Sequence, residues 1–171
     1  GLLLGQTLHT TPEEIYRALV EATAFGALTI INRFEEYGVK VEEVVNCGGI
    51  AEKSPFLMQV YADVLGREMK IARSAQTCAL GAAIAGSVAA GPERGGYASF
   101  AEAQAEVCGV QPRVFRPDPG RNKIYRELYR LYRELHDAFG TKTWTGNLHR
   151  VMKDLLAVRD VQRTAAGGRD V

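Results

Sequence analysis

The chain has 171 residues, room for one domain of ordinary size. Hydrophobic residues make up 46%, charged residues 24%, and the net charge is +1, which suits a globular protein and excludes the concentrated basic surface of a nucleic-acid binder. The longest small-apolar run, Ala79 to Ala90, is broken by two glycines and a serine and is too short for a membrane span.

In chain order, Gly1 to Gly5 is an apolar start with Leu2, Leu3 and Leu4 together, and it reads as backbone whose neighbours lie upstream. Thr11-Pro12-Glu13-Glu14 is a helix start, with Thr11 and Glu14 placed for a capping box. Ile15, Leu19, Ala22, Phe25, Ile30 and Phe34 carry the helix to about Tyr37, with Gly38 as its left-handed stop. Glu43 to Cys47 is strand-like and ends at Gly48-Gly49. A polar loop follows, then Ser54 caps a helix with Pro55 at its first position and Gly66 at its end. Met69 to Ala72 alternates as a second short strand.

Ala75 to Ala90 is a helix of small residues, and Gly81 and Gly86 within it predict close backbone approach to another element, as a tight helix contact or a hinge. Ser99 to Glu102 opens a short helix to about Cys108, and Gln111 to Pro119 is extended. Asp118 caps a long helix whose Tyr125, Leu128, Tyr129, Tyr132, Leu135 and Phe139 form a core-facing stripe. Arg126, Arg130 and Arg133 alternate with Glu127 and Glu134 on a solvated face. Residues 140–147 are a linker, and Leu148, Met152, Leu155 and Leu156 mark a last amphipathic helix. Two strands do not make a stable open sheet, which predicts partner strands supplied from outside. Cys47, Cys78 and Cys108 lack metal or disulfide spacing and are expected as buried structural thiols; His9, His136 and His149 are scattered.

Chemistry concentrates at Gly48-Gly49. Neither residue has a Cβ, so backbone can meet a ligand directly. The helix start at Ser54-Pro55 favours an anion or an acceptor, and Lys53 adds positive charge beside it. This suits the sugar or phosphate part of a nucleotide. It is neither a Walker A loop nor a GxGxxG turn, and a plain strand-turn-helix with a glycine pair reads the same.

The run Asn46 to Gly66, NCGGIAEKSPFLMQVYADVLG, resembles the adenosine-binding motif of the FGGY carbohydrate kinases through Gly48, Gly49, Ala51, Ser54, Gln59, Ala62, Asp63 and Gly66. Ser74 to Gly91 is similar to that family's second connecting segment at the interdomain hinge. The runs TPEEIYRALVEATAFGALTIINRFEEYGV, VVNCGGIAEKSPFLMQVYAD and ELYRLYRELHDAFG look like the members that act on L-ribulose in L-arabinose breakdown. One departure is the loop GGIAEKSP where many relatives read GGGAKSP, so Ile50 and Glu52 alter it.

The resemblance implies an α/β fold: the C-terminal part of an actin-like (ribonuclease H-like) ATPase domain, helix-rich with few strands, over residues 1–140. A linker and C-terminal helix follow at 141–163 and a disordered tail at 164–171. The implied activity is transfer of the ATP γ-phosphoryl group to the 5-hydroxyl of L-ribulose or a related ketose, in the cytoplasm. The alternatives are another FGGY kinase, acting on xylulose or glycerol, or a non-catalytic interaction module of the same fold. Gly48, Gly49, Ile50, Ala51, Lys53 and Ser54 are the implied nucleotide contacts. The general-base aspartate and the loops that hold Mg²⁺-ATP are expected upstream, so the upstream domain of the same protein is the implied partner, and a homo-oligomer is compatible. No nucleic-acid or membrane partner is expected.

Overall fold

The computed structural model describes residues 1–165. Helix α1 runs Pro12–Glu36 and starts as its sequence dictates. Thr11 Oγ1 accepts from the Glu14 N–H at 3.3 Å, and the Glu14 carboxylate accepts from the Thr11 N–H at 2.9 Å. Gly38, with φ +80°, follows its end.

Strands β1 (Val44–Asn46) and β2 (Met69–Ala72) pair in parallel, with Val44 opposite Met69 and Asn46 opposite Ile71. The crossover between them holds two helices, α2 (Gly49–Lys53) and α3 (Pro55–Leu65). A third strand, β3 (Val110–Phe115), runs antiparallel to β2 and completes the order β1-β2-β3. Two expectations change here. The stretch from Gln111 begins as a strand, so the chain itself supplies a partner for β2; Pro112 hides it, because proline is tolerated only where a strand lies at an edge, as β3 does. The loop after the glycine pair is a short helix, too brief to show a period in sequence.

One face of the sheet is covered. Helix α3 buries Met58, Val60, Ala62, Asp63, Val64 and Leu65, and packs between the sheet, α1 and α6 (Pro119–Gly140). Met58, Ala62, Met69, Ile71 and Phe115 join Ile31 and Ala51 in one core cluster; Val60 and Val64 join Val20, Ala24, Phe25 and Tyr125 in another. Full burial of each large apolar side chain contributes about 1.5–3 kcal/mol. The Phe25 ring meets Tyr125, Tyr129 and Tyr132 at centroid distances of 6.2, 5.9 and 5.4 Å. The Tyr125 hydroxyl donates to Glu21 at 2.8 Å and accepts from Arg17 at 3.0 Å. Burial, with the Glu21 charge adding to it, pushes this phenol up to about 12.

The predicted stripe on α6 is inward from Tyr125 to Leu135, but Phe139 is 73% exposed, because it lies in the last turn, beyond the reach of α3. Arg130 is a solvated ion-pair hub and ties α6 to α7 (Val151–Ala165) through Asp154 at 2.9 Å. Thr164 and Ala165, expected in a disordered tail, are the last residues of α7; the rest of that expected tail, 166–171, lies outside the described residues.

Helix α4 (Thr77–Ala90) packs against α5 (Phe100–Val107) and buries only Ile84. A Cβ built at Gly81 or Gly86 meets nothing within 4 Å, so the close backbone approach expected there does not occur among the described residues. The cysteines are free and exposed, contrary to expectation, because each sits where the chain leaves or enters an element: Cys47 after β1, Cys78 in the first turn of α4, Cys108 after α5. Among the described residues no helix is long and apolar enough to cross a membrane.

Candidate functional site

The six residues proposed from sequence lie on one continuous turn at the end of β1. Gly48 has φ +90°, a conformation that L side chains rarely adopt, so the turn requires glycine there. Gly49 opens α2, and a Cβ at either glycine meets no protein atom within 4 Å. The bare backbone therefore faces open space. N–H groups of the first residues of a helix have no intrahelical partner, so Gly49, Ile50 and Ala51 present donors at this opening.

The other positions divide by burial. Ile50 is 67% exposed, and Lys53 is exposed beside it. Ala51 lies in the core with Met58 and Ala62, so a ligand could reach only its backbone. Ser54 is C-cap of α2 and N-cap of α3 at once, and its Oγ accepts from the Leu57 N–H at 3.3 Å. The start of α3 is thus partly satisfied, and the donors nearest the glycine pair belong to α2. Grooves of about 600 and 720 Å³ run along α6, and neither is lined by any residue of the turn. Their walls are mostly apolar; the turn has the donors and stands open.

The second half of the motif does something different. Asp63 is 2% exposed. Its carboxylate accepts from Gln59 at 2.8 Å, from the Asp118 N–H at 2.9 Å and from Arg121 at 3.4 Å. Gln59 also donates to the Arg116 carbonyl at 2.8 Å, and the Asn122 amide donates to the Asp63 carbonyl at 2.7 Å. Gly66, with φ +64°, leaves room for Asn122, whose Nδ2 would be 2.9 Å from a Cβ. Gln59, Asp63 and Gly66 therefore lock the start of α6 onto α3 and do not face the glycine pair. Sequence reasoning missed Asp118 and Asn122 as their partners; the Asp-Pro cap signal marked the helix start without saying where it docks. Among the described residues there is no group of three or more His, Cys, Asp or Glu placed to hold a metal ion.

Residues 1–90 match the model of the FGGY family of carbohydrate kinases, C-terminal domain. The chain is 50% identical over 162 residues to a ribulokinase of Halalkalibacterium halodurans, covering 95% of this chain and 28% of that protein. It is 54% identical over 140 residues to a ribulokinase of Geobacillus thermodenitrificans, covering 82% of this chain and 25% of that protein. The chain thus spans about a quarter of the length of these curated relatives. Among solved structures it is similar to the xylulose kinase of Rhodospirillum rubrum, with TM-score 0.65 and 24% identity over 79% of this chain and 26% of that one, a likeness of fold. With a match over more than half its length, in the part that carries the glycine turn, this chain belongs to the FGGY family of carbohydrate kinases, in its C-terminal domain.

Proposed function

We propose that the chain is the adenosine-binding part of an ATP-dependent kinase that phosphorylates L-ribulose at its 5-hydroxyl, acting in the cytoplasm on the route by which L-arabinose is broken down. The observation that carries this reading is the 50% identity to a ribulokinase sustained over 95% of the chain. Gly48 and Gly49 admit the nucleoside by backbone contact, the first N–H groups of α2 donate to it, and Ile50, Ala51, Lys53 and Ser54 form the remainder of that wall. ATP supplies the transferred phosphoryl group. The aspartate base, the grip on Mg²⁺ and the phosphates, and the sugar site belong to the remaining part of the polypeptide. Phosphoryl transfer rests on positioning and charge stabilisation across both walls, so this chain by itself is inactive.

The test is a kinase assay on the full-length polypeptide with L-ribulose, D-xylulose and glycerol as acceptors. L-ribulose is expected to give the highest kcat/KM; a preference for D-xylulose or glycerol assigns another FGGY activity, and no turnover on any acceptor assigns a non-catalytic module. Gly49→Val sharpens the assignment. A Cβ at this position meets no protein atom within 4 Å, so the effect reports chiefly on the ligand. The ATP KM is expected to rise about tenfold or more, as for a lost backbone hydrogen bond plus a clash; an unchanged KM refutes the contact.

A further inference from the structure

Helix α2 cannot hold itself. It has five residues, and its N-cap, Gly48, offers no side chain to its N–H groups. Two fasteners fix it from outside. One is Ala51, buried in the core. The other is Gln111 of β3, whose Nε2 lies 3.3 Å from Glu52 Oε1 and 3.5 Å from the Ala72 carbonyl. Both neighbours are acceptors only, so the NH₂ end of the amide faces both, one hydrogen to each. The side chain thereby straps α2 to the end of β2. Arg73, the next residue, fixes β3 from the other direction: its N–H donates to the Gly109 carbonyl at 2.8 Å, and its guanidinium to the carbonyls of Val107 and Cys108 at 2.9 and 3.0 Å. Strand β3 lies beyond residue 90, outside the span that the family model matches.

We infer that Gln111 is a positioning residue for the nucleotide turn: through Glu52 it sets the angle at which Gly48, Gly49 and the first N–H groups of α2 meet the nucleoside. The inference rests on the nucleotide reading of the turn given above. Gln111 touches no reacting atom, and its influence falls on ATP affinity alone, because the sugar and the phosphate grip lie elsewhere in the polypeptide.

The experiment uses the full-length protein and measures kcat, the KM for ATP, the KM for the ketose and the melting temperature. Gln111→Ala is expected to raise the ATP KM about three- to tenfold, the scale of one ordinary hydrogen bond. The other three quantities should stay near wild type. Gln111→Glu places two carboxylates together and is expected to raise the ATP KM further. Adding Glu52→Gln to that variant rebuilds the bond between positions 52 and 111 with donor and acceptor exchanged, while a carboxylate still faces the Ala72 carbonyl, so the ATP KM should fall part of the way back towards wild type. An ATP KM within twofold of wild type in both single variants overturns the inference, as does a ketose KM that rises in parallel or a failure of Glu52→Gln to rescue. Gly49→Val separates the two levels. If it raises the ATP KM and the Gln111 variants do not, only the strap is refuted; if it leaves the ATP KM unchanged, the nucleotide reading falls and the strap with it.

Discussion

Helices α3 and α4 make an instructive pair. Both come after a strand of the sheet, α3 with α2 between, and each is mostly apolar, α4 carrying no charged residue at all. Yet α3 buries six of its residues and α4 only Ile84. Composition therefore does not decide burial here; neighbours do. Helix α3 has the sheet beneath it, α1 beside it and α6 locked to its C-terminal half by Asp63, whereas among the described residues α4 packs mainly on α5 and a short turn. The apolar surface of α4 is the kind that a further part of a protein covers.

The contrast can be broken from the α3 side first. Asp63→Ala removes a buried acceptor and leaves the Asp118 N–H without its partner and the Gln59 amide with only the Arg116 carbonyl. We expect a loss of about 3 kcal/mol, the scale of a stripped buried charged hydrogen-bond centre, in denaturant unfolding of the full-length protein. A loss below about 1 kcal/mol, the scale of a single neutral hydrogen bond, would show that α6 does not depend on this lock. Gly66→Ala should cost about 1–2 kcal/mol from its left-handed backbone alone, with the Asn122 contact added. Combining it with Asn122→Ala should recover the steric part, and strict additivity of the two changes would refute the contact. The smallest effect has the opposite sign. Gly86→Ala meets no protein atom within 4 Å, so it should stabilise by about 0.5–1 kcal/mol through helix propensity. A destabilising result in the full-length protein would mean that α4 is tightly covered there, and would remove the contrast with α3.

The same contrast explains what could be read from the residues alone. Capped helices were legible because their signals are local: Thr11 with Glu14, Ser54 with Pro55, Asp118 with Pro119 each act within a turn or less. The glycine turn was legible because Gly48 needs a conformation that its own residue type announces. Strand β3 was not, since Pro112 argues locally against a strand and only the register with β2 argues for one. Helix α2 was too short for periodicity to reveal it. The motif running from Gly48 to Gly66 reads as one unit, yet its glycine end is open and its Gln59–Asp63 end is tied to α6. Nothing in Gln59 or Asp63 says that their partners lie some sixty positions on, at Arg116 and Asp118.

The hydrogen bond from the Arg73 N–H to the Gly109 carbonyl, with Ala72 opposite Val110 beside it, has a consequence for how the chain can vary. Residues 74–108 leave and rejoin the sheet at this neck, and the two core clusters that hold α1, α3 and α6 together draw no residue from them. Closing a loop grows only slowly more expensive with its length, about 0.6 kcal/mol for each doubling. Insertions and deletions within the stretch after α4 therefore tax the rest of the fold very little, while the glycine turn stays where β1 and β2 put it.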